Sequence, residues 1–389
     1  KYNIKYSMNN GTNNPSNLTS AEFDNVITLY KPTKAGWKFT GWTLEGTNPN
    51  YSTAKYGSST SAVSTAISNS STKFGASGTV YVKNLSSTKG GEVTLVAHWE
   101  KTLTVNFWSG IAKKHNQSQQ ITIHDSATSG TVTAPVTPTD PVWTFVGWTQ
   151  ENTATASTKY ITGGTKVTIT ATSDDDTKLD YYCLSRQLHT LKYDANGGTG
   201  APESSTAWGY YNSFGKQNNG SHTISSVIPK RTGYTFGGWY REEEPNTLFK
   251  SGDTYTNHSA TDTLYAQWTA NSFTLAYNAN KPSNASNSVE NVPAKQTLTY
   301  DTASAISSKA PTLKGWIFCG WADSATGDMR YKSGATLSKE TVNTMYSACS
   351  GGTYNVYAKW DAITYTIVFN SNGGTGNMDN MSMVDDVAQ

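Results

Sequence analysis

Charge is scarce in this chain. Lys, Arg, Asp and Glu make up 15% of its 389 residues, where an ordinary soluble domain carries about 25%, and the formal net charge is +2. No concentration of Lys and Arg offers itself to a polyanion, so nucleic acid is excluded as a partner class. Little long-range repulsion would hold copies apart, so self-association is not electrostatically forbidden. No apolar run approaches the ~20 residues of a membrane span. The first residues, "KYNIKYSMNNG", read as strand and turn and not as a signal peptide. Any targeting or anchoring segment is therefore expected outside this sequence. Cysteine is also scarce: Cys183, Cys319 and Cys349 are too few for a disulfide scaffold. A bond between Cys319 and Cys349, which fall in one repeat, stands open beside three free thiols.

Signatures of chemistry are missing as well. His98, His115, His124, His189, His222 and His258 are scattered, and none stands at zinc-ligand spacing with a cysteine. His98 reads as an outward strand position. The acidic runs "SDDDT" (173–177) and "REEEP" (241–245) lack the alternation and glycine turn of a calcium loop and read as solvated loops. "NGGTG" at 196–200 and 372–376 lacks the Gly-Lys-Ser/Thr ending of a phosphate loop. No Gly-x-Ser-x-Gly is present. The expectation is a non-enzymatic chain with no catalytic residue, no metal site and no cofactor.

What is abundant is Ser, Thr, Asn, Gly and aromatics. Thr, Tyr and Trp favour strands, and Gly and Asn favour turns, so the composition predicts a mainly β fold. Helical signal is weak everywhere. Residues 18–30, with a capping-type start at Thr19 or Ser20, and then residues 302–311, are its best cases.

Three phrases recur in fixed order. An opening aromatic with a turn reads "YSMNNG" (6–11), "FWSG" (107–110), "YDANGGTG" (193–200), "YNANKPS" (277–283) and "FNSNGGTG" (369–376). A centre reads "GWKFTGW" (36–42), "VWTFVGW" (142–148), "GYTFGGW" (233–239) and "GWIFCGW" (315–321). A close reads "LVAHWE" (95–100), "LYAQWT" (264–269) and "VYAKWD" (356–361), with "DYYCLS" (180–185) as a worn copy carrying Leu184 in place of Trp. The phrases divide the chain into modules at 1–100, 101–185, 186–269 and 270–361, and a partial fifth repeat at 362–389 that suggests a piece of a longer array. The periods exceed those of solenoids, so each module is expected to hold its own core.

The recurring rings read as that core: Trp37, Phe39, Trp42 and Trp99; Trp143, Phe145 and Trp148; Tyr234, Phe236, Trp239 and Trp268; Trp316, Phe318, Trp321 and Trp360. A surface glycan platform is the weaker alternative. Trp108 and Trp208, at non-repeating positions, are better candidates for a private contact surface. In "GYTFGGWY", Trp239 is out of phase with Tyr234 and Phe236, so either both strand faces are buried or Gly238 hosts a bulge. "TLKYDANGGTG" ends on a hairpin-type Asn-Gly signal.

The phrases resemble the Listeria–Bacteroides repeat family, the internalin B-repeat type, whose members carry an aromatic-x-x-Asn-Gly-Gly opening, a Gly-Tyr-x-Phe-x-Gly-Trp centre and a Leu-Tyr-Ala-x-Trp close. Modules three and four carry the match through Tyr193, Asn196, Gly197, Gly198, Tyr234, Phe236, Gly238, Trp239, Tyr265, Ala266 and Trp268, then Trp316, Phe318, Gly320, Trp321, Tyr357, Ala358 and Trp360. Module two departs most, with Val142 for the first glycine and Leu184 for the last Trp, and module one carries a long insertion before its close. The resemblance implies a tandem array of β-grasp-like modules on extracellular, cell-surface bacterial proteins, serving as stalks, spacers or protein contacts, with no catalytic residues. Short junctions ("TANSF", "DAITY") predict a stiff rod of roughly 120–160 Å, at about 30–40 Å per module. The alternative is an adhesin or self-assembling filament subunit that uses strand edges or the partial repeat.

Overall fold

The computed structural model describes residues 1–139 and 143–385. Val142 and the last four residues of the partial repeat lie outside them. The chain is mainly β and forms two compact units, Lys1–His189 with Ala207–Gly220, and Thr190–Thr206 with Ser221–Gln389.

Each complete repeat is built on three strands. In the first, the opening strand Tyr2–Ser7 pairs in parallel with Glu92–Ser109 (Ile4 opposite Val93), and the central strand Lys38–Glu45 runs antiparallel along the same partner. Strand Glu92–Ser109 then continues without interruption into the second module, where it is the opening strand and pairs in parallel with the first part of Thr177–Asp194. The second unit repeats the scheme with Leu191 opposite Asp262, and with Ser272–Asn278 alongside Thr353–Ala362. A second strand flanks the opening strand antiparallel, as Gln296–Thr299 does beside Ser272–Asn278. Parallel partners require a long crossover, and the variable insertions of the repeats lie in that connection. The Asn-Gly signal does not close a tight hairpin. Asn196 (φ 47°) and Gly197 (φ 81°) turn the chain, which bridges Thr199 to Lys230 and then returns to the same sheet as Ser205–Asn212, paired with Thr177–Asp194.

All four central strands slip register at one place: Phe39/Gly41, Phe145/Gly147, Phe236/Gly238 and Phe318/Gly320. Of the two readings for Trp239, the bulge is the one the chain adopts. Gly238 takes φ 145° and Gly320 φ 148°, a region closed to other residues without strain. The slip turns the Phe and the Trp three residues later to one side. Trp42, Trp148, Trp239 and Trp321 are each 0–1% exposed.

The helix expectations are corrected. Residues 18–30 hold the strands Ser20–Ala21 and Ile27–Leu29, and 302–311 holds Ser304–Ala305. Among the described residues the α-helix is Lys339–Ala348. Ser338 caps it by accepting from the Thr341 N–H (3.2 Å), and Val342 and Met345 enter the core. A cap followed by apolar residues at three- and four-residue spacing (Val342, Met345, Tyr346) was the available signal.

The open disulfide reading also resolves: all three cysteines are free thiols. Cys349 ends the helix against the fourth core, whereas Cys319 lies at the bulge of the central strand beside Asp361, outside that core. Burial pushes the Cys183 thiol up to about 11, although Ser185 works against it. At pH 8 Cys183 should stay unmodified by a thiol reagent in the folded chain and react once denaturant is added. A stoichiometric titration with Ellman's reagent checks this, and fast reaction at Cys183 in the native state would contradict it.

Candidate functional site

Two features recur inside the modules and a third between them. The first is a chain of edge-to-face rings. In module three, Tyr193 meets Trp239 at 4.9 Å, Trp239 meets Phe236 at 5.2 Å, and Phe236 meets Trp268 at 5.7 Å. Module four repeats it through Tyr277, Trp321, Phe318 and Trp360 at 4.8, 5.1 and 5.6 Å. Module one uses Tyr6, Trp42, Phe39 and Trp99. In module two the chain stops after Phe107, Trp148 and Phe145, because Leu184 stands where the fourth ring would be.

The second feature is a clasp that explains the Asn of the opening phrase. The indole N–H of Trp268 donates to Ala195 O (2.9 Å), and Asn196 Nδ2 donates back to Ala266 O (3.0 Å). Trp99 with Met8 and Asn9 with Ala97 make the same pair in module one, as do Trp360 with Ala279 and Asn280 with Ala358 in module four. The left-handed φ of Asn9 (45°), Asn196 (47°) and Asn280 (43°) aims the side chain back at the closing strand.

The third feature is the joint between successive modules. The first aromatic of the central phrase, read from the sequence as core, is half-buried and works here: Trp37 packs against both the first and the second core. Lys34 Nζ lies 3.8 Å over the Trp37 ring and donates to the carbonyls of Asn9 and Asp125. Lys101, 2% exposed, donates its ammonium to the carbonyls of Thr172 and Asp174. Residues 173–176 of the acidic run are exposed, as read from the sequence, and the run's backbone holds a cation as well.

His98 is likewise no bare surface residue. Its Nε2 lies 2.8 Å from Thr43 Oγ1 and its Nδ1 3.1 Å from Asp125 Oδ2, and the Trp99 N–H donates to Asp125 Oδ1 at 2.9 Å. Burial alone would raise the Asp125 carboxyl, but the Trp99 N–H and His98 outweigh it and hold it below the ordinary value of 3.8. A depressed folded pKa means that this stabilisation is complete above about pH 4 and is lost as pH falls through the folded value. Asp125→Asn should therefore shrink the difference in melting temperature between pH 6 and pH 3, as measured by calorimetry. An unchanged difference would rule the carboxylate out as a contributor.

The second joint uses the end of strand Ser205–Asn212, which belongs to the first compact unit from Ala207 on. Tyr211 meets Trp143 edge-to-face at 5.5 Å, and Asn212 Nδ2 donates to Thr153 O at 2.7 Å. At the joint of modules three and four, Asn271 N donates to Gly233 O and Tyr300 N to Asn271 O, both at 2.9 Å. Tyr234 donates its hydroxyl to Asp301 Oδ2 (3.0 Å), lies 5.6 Å from the Tyr300 ring and carries the Arg231 guanidinium at 4.1 Å. Tyr300 in turn meets Tyr346 of the helix at 5.1 Å. Lys339 and Tyr234 hold the Asp301 carboxyl below its ordinary value. Trp316, the fourth member, lines an open groove with Phe318 and Trp360.

Asp125, Tyr300 and Asp301 escaped the sequence reading, since they meet residues of other repeats, and Lys101 escaped it because Thr172 and Asp174 lie far along the chain within its own module. The two private aromatics are both engaged: Trp108 donates to Asp180 Oδ1 (3.0 Å), and the Arg186 guanidinium covers the Trp208 ring at 4.1 Å. Among the described residues no group of three or more His, Cys, Asp or Glu could hold a metal ion. No helix among them is long and apolar enough to cross a membrane.

Bulged central strands, clasped closing strands and joints made of one module's ring on the next define a class: tandem β repeat modules. The chain belongs to the Listeria-Bacteroides repeat domain family, whose model matches residues 2–70, 189–267 and 273–347, more than half of its length. The second module, which lacks the clasp, lies outside those matches. Over 285 residues, 73% of this chain, it is 26% identical to a protein of Evansella cellulosilytica described as a Gly-rich membrane protein. Over 107 residues, 27% of this chain and 17% of the relative, it is 31% identical to Internalin H of Listeria monocytogenes. The chain spans only 27% of the length of the Evansella protein and 30% of a second membrane protein from that organism. Among solved structures the TIE protein of Bacillus anthracis aligns over 92% of this chain and 73% of its own, at 8% identity and a TM-score of 0.21.

Proposed function

We propose that this segment is a non-enzymatic part of an extracellular, cell-surface protein and acts as a stiff stalk or fibre shaft. The observation that carries the reading is the joint. Strand Glu92–Ser109 passes from one module to the next with no linker, and Trp37 and Tyr234 are gripped by the module that follows. Such joints restrict rotation, which a flexible Gly/Ser linker would permit. The relatives described as membrane proteins and as an internalin agree with a surface location.

Small-angle scattering tests it. An extended profile with a maximum dimension of about 120–160 Å is expected, and a compact profile would sink the stalk. Contact with a protein partner, as in an adhesin, is the second reading. The exposed apolar pair Val227 and Ile228 of the third module favours it.

A further inference from the structure

We propose that the joint of modules three and four binds an acidic oligosaccharide, one carrying carboxylate or sulfate groups. The inference goes beyond the stalk reading and does not depend on it. Two grooves meet at this joint, both inside the second compact unit and both walled by Arg231 and Tyr234. The first, of about 400 Å³, is completed by Gly197, Gly198 and Lys230 of module three and Asn343 of module four. The second, of about 320 Å³, is completed by Tyr240, Trp268, Asn196 and Gln267. Modules three and four are both complete, so neither groove is left open by an end of the sequence.

The cation of the first joint shows what Arg231 lacks. Lys34 and Arg231 each stand two residues before the glycine of the central phrase. Each covers the aromatic that follows that glycine, and each donates to the carbonyl of the clasp asparagine, Asn9 or Asn196. Lys34 is completed by the next module through the Asp125 carbonyl. Arg231 bonds the Asn196 carbonyl at 3.3 Å, and among the described residues no group of module four accepts from it. A guanidinium has five N–H donors in a planar fork that matches a carboxylate or a sulfate. Most of that fork is therefore left for a ligand, and the exposed Lys230 adds a second positive charge.

The acids nearby are already engaged. Asp301 holds Lys339 at 3.1 Å and accepts from the Tyr234 hydroxyl. Glu243 and Glu244, which precede Pro245, lie 3.1 and 3.9 Å from Arg241. Charge alone would fit an acidic peptide as well, but the rings favour a sugar. Tyr240 and Trp268 are half-buried in the second groove. A sugar ring has a face of polarised C–H groups, which the negative face of an aromatic ring attracts. Its hydroxyls need donors and acceptors, which the Gln267 amide and the Asn196 side-chain oxygen supply. The Asn196 amino group is already tied to Ala266 O in the clasp, which fixes where that oxygen stands.

Calorimetric titration of the full chain with tetragalacturonate and with a heparin tetrasaccharide tests the site. The first probe offers carboxylates alone and the second offers sulfates as well, so the two arms tell the anions apart. Binding of at least one is expected, weakening as salt is added. Arg231→Gln should weaken it by roughly tenfold, and Lys230→Gln, a change at an exposed side chain, should weaken it in the same direction without touching the fold. Lys192→Ala removes an exposed charge elsewhere on module three and should leave binding unchanged. A tetraglutamate peptide should bind at least about tenfold more weakly than the better sugar. In a nuclear magnetic resonance titration the Trp268 indole N–H should shift. Failure of both sugars to bind, an equal affinity for tetraglutamate, an equal loss in Lys192→Ala or an unmoved Trp268 signal would each overturn the assignment. None of these results bears on the scattering test of the stalk, which reads the shape of one chain.

Discussion

Trp239→Ala is expected to destabilise the third module by about 3–5 kcal/mol, the range for removing a buried aromatic and leaving a cavity. Trp239 is 1% exposed and is the centre of its ring chain, edge-to-face with both Tyr193 and Phe236. Its loss removes buried area and two ring contacts worth about 0.5–1.5 kcal/mol each. The surroundings can relax little, since the bulge at Gly238 and the clasp of Trp268 fix the strands on either side. Trp208→Ala is the control: that residue is 43% exposed and its ring lies under one guanidinium, so a much smaller loss, about 1 kcal/mol, is expected. Urea unfolding followed by tryptophan fluorescence compares the two. Similar shifts would mean that the recurring Trp is not the keystone of its module.

What could be read from the sequence was what repeats within one module. The Phe-x-Gly-Trp spacing posed the phase problem of Trp239 and offered the bulge as one of its solutions, because a two-residue period cannot place residues three apart on one face. The clasp was half legible. Asn-Gly announced a turn, but only the folded chain joins Asn196 to Ala266, 70 residues away. The joints were not legible at all. Tyr234 and Trp37 carry the same chemistry as a core ring, and nothing local tells a ring facing its own module from one facing the next. The same holds for Lys101, which looks like any strand-edge lysine until the backbone of residues 172–174 surrounds it. The helix at Lys339–Ala348 was lost for another reason: its polar majority gives a weak apolar stripe, and only Val342 and Met345 are buried.

The joint of modules three and four can be broken at one atom. In Gly233→Ala the new Cβ would fall 2.4 Å from the Tyr300 ring, at a residue with φ 78°. The left-handed backbone alone costs about 1–2 kcal/mol for a residue with a side chain. The ring cannot give way cheaply, because it sits between Tyr234 and Tyr346. Moving it also pulls Asp301 from the Tyr234 hydroxyl. Gly252→Ala separates the two costs, since Gly252 has φ 87° and a Cβ added there would meet nothing within 4 Å, leaving backbone strain only. The expected result is a loss of coupling on the order of 1–3 kcal/mol in Gly233→Ala beyond the Gly252→Ala effect, seen in calorimetry as two separated transitions for modules three and four where the wild type gives one. Equal thermograms for the two variants would mean that Tyr300 contributes nothing to the joint and that the glycine serves its own turn alone.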